Sequence, residues 1–551
     1  MPGTRSVRAR SATALIALAA RRRAVVIVVG LFGLGGLLAQ SVLGDPAPGA
    51  KNERGHVIAA PASASRVSTA TKARQTGPIG FGTPTVLSRT PPGGVVDDAI
   101  VAVSPTGSTA VMWREASGFD RGQTYRADYM VSLGPDASHL SSPRPIAAAR
   151  TAAKLTGDSQ LLAQPGGGFV ACFTESGRRH GTATSGCAFA APGHRFGPLR
   201  VVERKPWGKQ STMVAAIRAD GTVLLLLSRS AGKARRSITL SALASTGQLT
   251  TMQGLGEVRG SYVPDLATLT DGTVAIAWSN GPAEDFEGGR KPVLRLMAPG
   301  STQFGAPVAF TADQEVGAGV GVTGGAALLI DYSTGSPTDG AEQRIVRRFA
   351  DGTFAPPKTL PRPGNGFLSG YAFPLLDGTP LAITSSDMQS ESDCGNSTGG
   401  FVGAGPLVDL PPPGAKRGDA TNGPITTERL SDPKQIAQSP SAALLGDGTV
   451  IVAWGDSFGT SGQSRIEVTT RRPAATAFSA PQVLPRDTVY GGQTLAAGGD
   501  QALLAWTVGG KASRKEDLVV ARKDIVVSAL RTAPPFATQQ PRPAKPGTSC
   551  S

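Results

Sequence analysis

An Asp-Gly hairpin signature occurs twice, almost unchanged, in this 551-residue chain. It reads TDGTVAIAWSN at residues 270–280 and GDGTVIVAWGD at residues 446–456. Asp-Gly supplies the positive φ angle that a tight hairpin turn needs. Side chains alternate along the strand that follows, so Val274, Ile276 and Trp278 fall on one face. The signature therefore predicts one β-hairpin that the chain uses repeatedly.

The hairpin is part of a longer unit of about 50 residues. Eight copies of its turn and second strand can be found, and several units end on an F-x-x-P type segment, as at residues 196–202, 304–310, 354–360 and 478–484. Abundant glycine (71) and proline (43) fit many turns and short strands. A four-stranded unit repeating at this length is typical of a β-propeller blade. The sequence predicts an all-β propeller of eight four-stranded blades, with seven as the alternative.

A further copy of the closing segment, FGTPTVL at residues 81–87, stands before the first full unit. The last unit, which starts near residue 493, has no clear copy of its own. An N-terminal strand that completes the last blade would remove both open sheet edges. We therefore expect residues 81–87 to close the ring.

Over residues 79–535 this pattern resembles that of the secreted and surface-exposed bacterial β-propeller repeat proteins, at the level of architecture. Sialidase-type propellers belong to the same broad class, but their Asp-box, S-x-D-x-G-x-T-W, is missing here. The resemblance implies the fold and an extracellular setting. It assigns no catalytic residue.

The N-terminal region predicts export. Arginines at 5, 8, 10 and 21–23 precede residues 24–43, which carry no charge and can cross about 30 Å of hydrocarbon as a helix. The arginine excess keeps the N-terminus inside the cell. Two alternatives stay open. A retained transmembrane anchor would hold the chain at the extracellular face of the cell membrane, and a cleaved signal peptide would release it as a secreted protein.

These features divide the chain into five regions. A basic region (1–23) and the hydrophobic segment (24–44) are followed by an Ala-, Ser- and Pro-rich stretch (45–78) that is predicted to be a disordered linker. The propeller spans 79–535 and a tail spans 536–551.

Cysteine and histidine alternate in residues 172–194, at Cys172, His180, Cys187 and His194. Zinc is one interpretation, but the predicted hairpin puts the two histidines at opposite ends of a blade, roughly 20 Å apart. The same register sets Cys172 opposite Cys187, which predicts a disulfide in an exported protein. Cys394 and Cys550 remain as a second potential pair. No metal and no cofactor is expected.

Trp207 is the strongest ligand-binding candidate. The other tryptophans (113, 278, 454, 506) share one second-strand position and are predicted to pack between blades. Trp207 instead lies in the connection ERKPWGKQS, where an aromatic ring can stack on a sugar while Lys205 and Lys209 pair with an acidic group. Asp265, at the start of an inner strand, is expected on the same face. The alternative is that Trp207 packs as a wedge between blades.

Charge argues against a nucleic-acid partner. The net charge of +15 is concentrated in residues 1–74, with eleven Lys and Arg against two acidic residues, whereas residues 75–551 hold 44 against 38. No motif assembles a catalytic constellation, and the chain has four His. These observations favour a monomeric recognition or scaffold module for polar ligands, with an extracellular glycan or a cell-envelope protein as partner. The alternative is an extracellular glycan hydrolase or lyase of sialidase-like architecture.

Overall fold

The Asp-Gly turns form as the sequence predicts. In a computed structural model of the chain, Gly272 and Gly448 both have a φ angle of 87°. The Asp271 carboxylate accepts the Thr273 N–H at 2.7 Å, and the Leu269 N–H donates to the Thr273 carbonyl at 2.8 Å. The Asp side chain thus fixes the turn while glycine provides the left-handed backbone that the turn requires.

The structure describes a large part of the chain beyond residue 78. The described residues are 79–89, 95–117, 126–146, 151–152, 159–176, 182–206, 211–232, 235–259, 264–281, 290–311, 320–334, 342–349, 351–360, 367–376, 379–387, 400–406, 428–431, 436–457, 464–484, 493–509 and 523–532. The predicted N-terminal helix, the linker and the tail lie outside these ranges, as do Cys394 and Cys550. In the ranges given, no helix has the length and hydropathy needed to cross a bilayer.

The regular elements of the described residues are all β-strands, which we number in chain order and group into sheets. Sheet 1 contains β3 (Val95–Val103), β4 (Thr109–Ser117), β5 (Arg126–Gly134) and β6 (Arg144–Pro145), with β7 (Thr151–Ala152) also on β5. Sheet 2 contains β8 (Gln160–Ala163), β9 (Phe169–Ser176), β10 (Thr182–Ala190) and β11 (Arg200–Pro206). Sheet 3 contains β12 (Thr212–Ile217), β13 (Val223–Gly232), β14 (Arg235–Leu243) and β15 (Leu249–Arg259). Sheet 4 contains β16 (Asp265–Thr268), β17 (Val274–Asn280) and β18 (Lys291–Met297), and a single bridge from Leu294 to Val308 stands where a fourth strand would pair.

The second half of the chain forms four further sheets with the same antiparallel strand arrangement. Sheet 5 contains β19 (Val320–Thr323), β20 (Leu328–Thr334), β21 (Glu342–Arg348) and β22 (Lys358–Thr359). Sheet 6 contains β23 (Phe367–Pro374), β24 (Pro380–Asp387), β25 (Gly400–Pro406) and β26 (Glu428–Arg429). Sheet 7 contains β27 (Ile436–Leu444), β28 (Val450–Ser457), β29 (Ser464–Arg471) and β30 (Gln482–Leu484). Sheet 8 joins both ends of the chain, since β1 (Ile79–Phe81) and β2 (Thr85–Arg89) pair with β33 (Lys523–Thr532), next to β32 (Gln501–Gly509) and β31 (Thr494–Gly498).

Neighbouring sheets pack face to face in a circular order. An apolar cluster fills each space between consecutive sheets, from sheets 1 and 2 to sheets 7 and 8. A further cluster joins sheet 8 back to sheet 1, with Trp113 beside Leu503 and Ala496. Over the described residues the prediction of an all-β fold is confirmed, and four-stranded antiparallel sheets in this order are consistent with a β-propeller.

The N-terminal segment takes the place of a repeat segment in sheet 8. Its Gly82 N–H donates to the Ala529 carbonyl on β33 at 2.9 Å. The residue after the repeat phenylalanine makes the equivalent bond to the third strand in four other sheets: Gly197 to Phe189, Gly305 to Leu296, Ala355 to Arg347 and Ser479 to Thr470. The segment therefore repeats a local bond of the unit although 447 residues separate Gly82 from Ala529 in the chain.

A side-chain clamp holds two of these closing segments at the backbone of their first residue, a phenylalanine. The Gln482 amide on β30 accepts the Phe81 N–H and donates to the Phe81 carbonyl, both at 2.7 Å. Gln253 on β15 makes the same pair of bonds to Phe304, at 2.6 and 3.2 Å. In each case the outer strand of one sheet holds the closing segment of the next sheet, whose phenylalanine ring is buried.

Cys172 and Cys187 face each other across β9 and β10 and are joined by a disulfide. Both are buried in the cluster between sheets 2 and 3, among Leu225 and Met213. The hairpin register that the sequence predicts is thus the one observed.

We expect Gln482→Ala to lower the free energy of unfolding by about 1–3 kcal/mol, because it leaves both backbone groups of Phe81 without their partner. Chemical unfolding monitored by circular dichroism measures this. Gln253→Ala is the matched control, since it breaks the same clamp between sheets that are consecutive in the chain. Faster proteolysis within residues 79–89 is expected for Gln482→Ala alone, and equal cleavage of both variants there would contradict the closing role.

Candidate functional site

One end of the sheets carries Lys205 and Asp265, two of the four residues that the sequence singled out for ligand binding. We call it the connection end, because the outer strand of one sheet ends there and the inner strand of the next begins. Lys205 lies near the end of β11, and Asp265 is the first residue of β16. Trp207 and Lys209 belong to the connection between β11 and β12 but lie outside the described residues.

An ion pair holds both sides of that connection. Glu203 on β11 is buried, and its carboxylate accepts the Arg229 Nε–H at 2.9 Å and the Ser211 N–H at 2.9 Å. Arg229 also donates to the Ser211 hydroxyl at 3.2 Å. Ser211 directly precedes β12, so one carboxylate fixes the points at which the chain leaves sheet 2 and enters sheet 3. The buried charge of Glu203 is thereby both paired and hydrogen-bonded, as burial requires.

Asp265 has a structural role that its sequence position did not reveal. Its carboxylate accepts the N–H of Leu266 at 3.0 Å and the N–H of Val322, on the inner strand of sheet 5, at 3.1 Å. Gln160, which starts the inner strand of sheet 2, binds the Ala215 N–H of sheet 3 at 2.6 Å in the same manner. Asp265 therefore joins sheets 4 and 5 at the connection end, whereas Lys205 belongs to sheet 2, with sheet 3 between them.

The four tryptophans of the repeat pack between sheets. Trp113, Trp278, Trp454 and Trp506 are at most 4 % exposed. Each lies in the cluster toward the preceding sheet: sheet 8 for Trp113, sheet 3 for Trp278, sheet 6 for Trp454 and sheet 7 for Trp506. These rings are covered and cannot form a sugar-stacking platform, in agreement with the packing prediction.

A pair of carboxylates at the connection end of sheet 1 was missed in the sequence. Glu115 on β4 is directly opposite Asp128 on β5, and the Ser88 hydroxyl of β2 donates to Glu115 at 3.4 Å. Burial raises the pKa of Glu115 above its ordinary value of 4.5, contacts with Trp113 and Ser88 act in the opposite direction, and the Asp128 charge raises it further. The only sequence signal was that Glu115 follows Trp113 by two residues and so shares its face of the strand.

This arrangement places two carboxyl groups side by side, one of them with a raised pKa. A carboxyl group with a raised pKa is the kind of group that serves as a general acid. No metal site accompanies it, since the described ranges contain no group of three His, Cys, Asp or Glu side chains placed to hold a metal ion.

Comparison with known proteins finds similar solved structures. No family model and no curated protein matches the chain. A protein of unknown function from Dyadobacter fermentans matches with a TM-score of 0.35 at 11 % identity, over 59 % of this chain and 95 % of that chain. The GH93 α-L-arabinofuranosidase of Fusarium graminearum, solved with arabinobiose, matches with a TM-score of 0.35 at 13 % identity, over 57 % and 92 % of the two chains. An α-L-arabinanase of Penicillium chrysogenum, also with arabinobiose, matches with a TM-score of 0.33 at 15 % identity, over 58 % and 93 %. The fold is established by the strand pairing within the eight sheets of the described residues.

The raised pKa of Glu115 predicts a pH-dependent stability difference. The folded chain retains this proton to a higher pH than the unfolded chain, so the group costs stability as pH rises from 4.5 through its folded pKa. Glu115→Gln should therefore gain stability relative to the parent at pH 7 but not at pH 4, in urea unfolding at both values. The control is Glu342→Gln, which removes a half-exposed carboxylate paired with Arg344. If Glu115→Gln differs in stability from the parent by the same amount at pH 7 and at pH 4, the raised pKa of Glu115 is contradicted.

Proposed function

We propose that this chain is an exported β-propeller directed at extracellular glycans, with recognition at the connection end as its primary function. The observation that carries the proposal is the ion pair of the buried Glu203 with Arg229, which, together with the Glu203 bond to the Ser211 N–H, fixes both flanks of the connection that contains Trp207. A loop held at both ends presents an aromatic ring at a low entropic cost of binding. A cell-envelope protein is the other polar partner that such a surface could bind, and we propose that the chain acts as a monomer.

The proposed architecture has eight blades, one for each sheet of the described residues, and is closed by residues 79–89. The circular order of the apolar clusters and the Gln482–Phe81 clamp support this count. Export is supported by the Cys172–Cys187 disulfide, because such bonds persist in oxidising compartments. The arginine-flanked segment 24–43 adds a membrane anchor or a signal peptide to the proposal.

The proposed ligand-binding residues are Trp207, Lys205, Lys209 and Asp265. Trp207 would stack on a sugar ring and the two lysines would pair with its acidic groups. Asp265 would extend the site beyond sheet 3, to the junction of sheets 4 and 5, where its carboxylate also accepts the N–H groups of Leu266 and Val322.

A second candidate function is glycan hydrolysis, and the Glu115–Asp128 pair favours it. Retaining and inverting glycosidases both use two carboxyl groups, one of them with a raised pKa. Glu115 and Asp128 are directly opposed, so their Cβ atoms are about 5 Å apart and both carboxyl groups lie on the same face of the sheet. This candidate shares the glycan substrate with the first and differs in the residues that would be essential.

Trp207→Ala should weaken binding to any polysaccharide recognised by the full-length chain by about tenfold or more, because it removes the stacking surface. A panel of immobilised glycans measures this, with the melting temperature recorded in parallel. Trp207→Phe keeps an aromatic face and should retain most of the binding. If Trp207→Ala instead melts far below the parent while its folded fraction binds normally, Trp207 is a wedge between blades and the site lies elsewhere.

Hydrolysis predicts the release of reducing ends from a bound polysaccharide. Glu115→Gln should then lower the rate by at least about a hundredfold, since it removes the proton donor. Asp128→Asn should lower it as well, and Glu342→Gln serves as the control. Bound polymers that stay intact with the parent protein, or a full rate with Glu115→Gln, would leave recognition as the function.

A further inference from the structure

Positive charge is concentrated in one part of the propeller. Residues 195–259, which include β11 to β15, hold eleven Arg and Lys against three Asp and Glu. The whole of residues 75–551 holds 44 against 38, so this stretch carries more than the entire surplus. Like charges kept close together repel one another and lower stability. Their concentration on two adjacent sheets needs a reason other than the fold.

Four of these side chains lie at the connection end, and we call them the basic rim: Arg204, Lys205, Arg235 and Arg236. The first two are near the end of β11 in sheet 2, and the other two begin β14 in sheet 3. Arg204 and Arg235 are exposed, and Lys205 and Arg236 are half-buried. The rim thus spans two sheets at the end where their strands meet the connection.

Hydrogen bonds and an ion pair connect the strands that carry the rim. Glu203, next to Arg204, binds both Arg229 and the Ser211 N–H, which ties the end of β11 to the start of β12. Arg236 donates to the Thr212 hydroxyl at 3.1 Å, which ties β14 to the same inner strand. The charge of Arg229 is matched by Glu203, so Arg229 does not belong to the rim.

The charge of Arg235 is only weakly compensated. Its ion-pair partner is Glu257, 3.7 Å away, and with side chains 54 % and 57 % exposed this pair gives little stabilisation. The Arg235 guanidinium is therefore accessible to a bound anion.

We propose that the basic rim binds the repeated anionic groups, carboxylate or phosphodiester, of an acidic polysaccharide. This inference depends on the proposed glycan recognition and specifies the class of glycan. Guanidinium groups match both anions with paired hydrogen bonds, and a polymer supplies charges in a row that can meet sheets 2 and 3 together.

The rim is less suited to an anionic bilayer. Proteins that bind a membrane surface combine basic residues with apolar side chains that enter the interface. Among the described residues, Val201 at 39 % and Leu376 at 50 % are the exposed large hydrophobic side chains; Val201 is at the start of β11, at the opposite end of sheet 2, and Leu376 is in the β23–β24 turn of sheet 6. No described apolar anchor therefore accompanies the four rim residues, and the single aromatic ring proposed at Trp207 fits a sugar as the ligand.

The test measures binding of the full-length protein to polygalacturonate, which carries carboxylates, and to poly(glycerol phosphate), which carries phosphodiesters. Neutral arabinan and phosphatidylglycerol vesicles are compared. The double variant Arg204→Gln/Arg235→Gln should bind the preferred anionic polymer about tenfold more weakly or worse, with a shallower salt dependence. The matched control Arg144→Gln/Arg195→Gln removes the same charge from exposed positions, one on β6 and one at the opposite end of sheet 2, and should bind like the parent.

Four results would contradict the proposal, each at a different point. Equal losses in the two double variants would contradict the rim, as would tighter binding to vesicles than to both anionic polymers. Binding of arabinan as tightly as the acidic polymers would overturn the inference while leaving glycan recognition intact. A parent protein that binds no polysaccharide would overturn the proposed function itself.

Discussion

The structure depends on one constraint, which is that every sheet has two apolar faces to cover. Each sheet can cover them only by packing between two others, so a linear stack would leave the first and last sheets exposed. The packing of sheet 8 on sheet 1 removes both exposed faces, with Trp113 of sheet 1 in the shared cluster. The outer edge of β33 then needs a partner from the start of the chain, because no later segment among the described residues pairs with it. Strands β1 and β2 supply it.

The same constraint accounts for the repeat. A segment that begins with phenylalanine is held twice, by a backbone bond to its own third strand and, at Phe81 and Phe304, by a glutamine of the preceding sheet. Phe81 is buried in the cluster between sheets 7 and 8 although it stands outside the repeat in the sequence. Ring closure therefore uses the same interaction as the packing of the other neighbouring sheets. It differs only because its two partners lie near opposite ends of the chain.

The sequence predicted those parts of the fold that short-range chemistry determines. The Asp-Gly turns, the alternation around Trp278 and the opposition of Cys172 and Cys187 all follow from local register. The candidate site was less predictable, because its contacts join residues far apart in the chain. Nothing near Asp265 signals a bond to Val322, and the proximity of Glu115 to Asp128 requires the register of β4 and β5 across a connection. The basic rim likewise becomes visible only when sheets 2 and 3 are placed side by side.

Amide hydrogen exchange on the full-length protein tests ring closure most directly. If residues 79–89 complete sheet 8, the amides of Phe81 and Gly82 should exchange as slowly as those of β33. The Phe81 N–H donates to Gln482 and the Gly82 N–H donates to the Ala529 carbonyl. Gln482→Ala should accelerate exchange at Phe81 far more than at the hairpin of sheet 4. Exchange of residues 79–89 at the rate of an unfolded peptide, with β33 protected, would contradict the account.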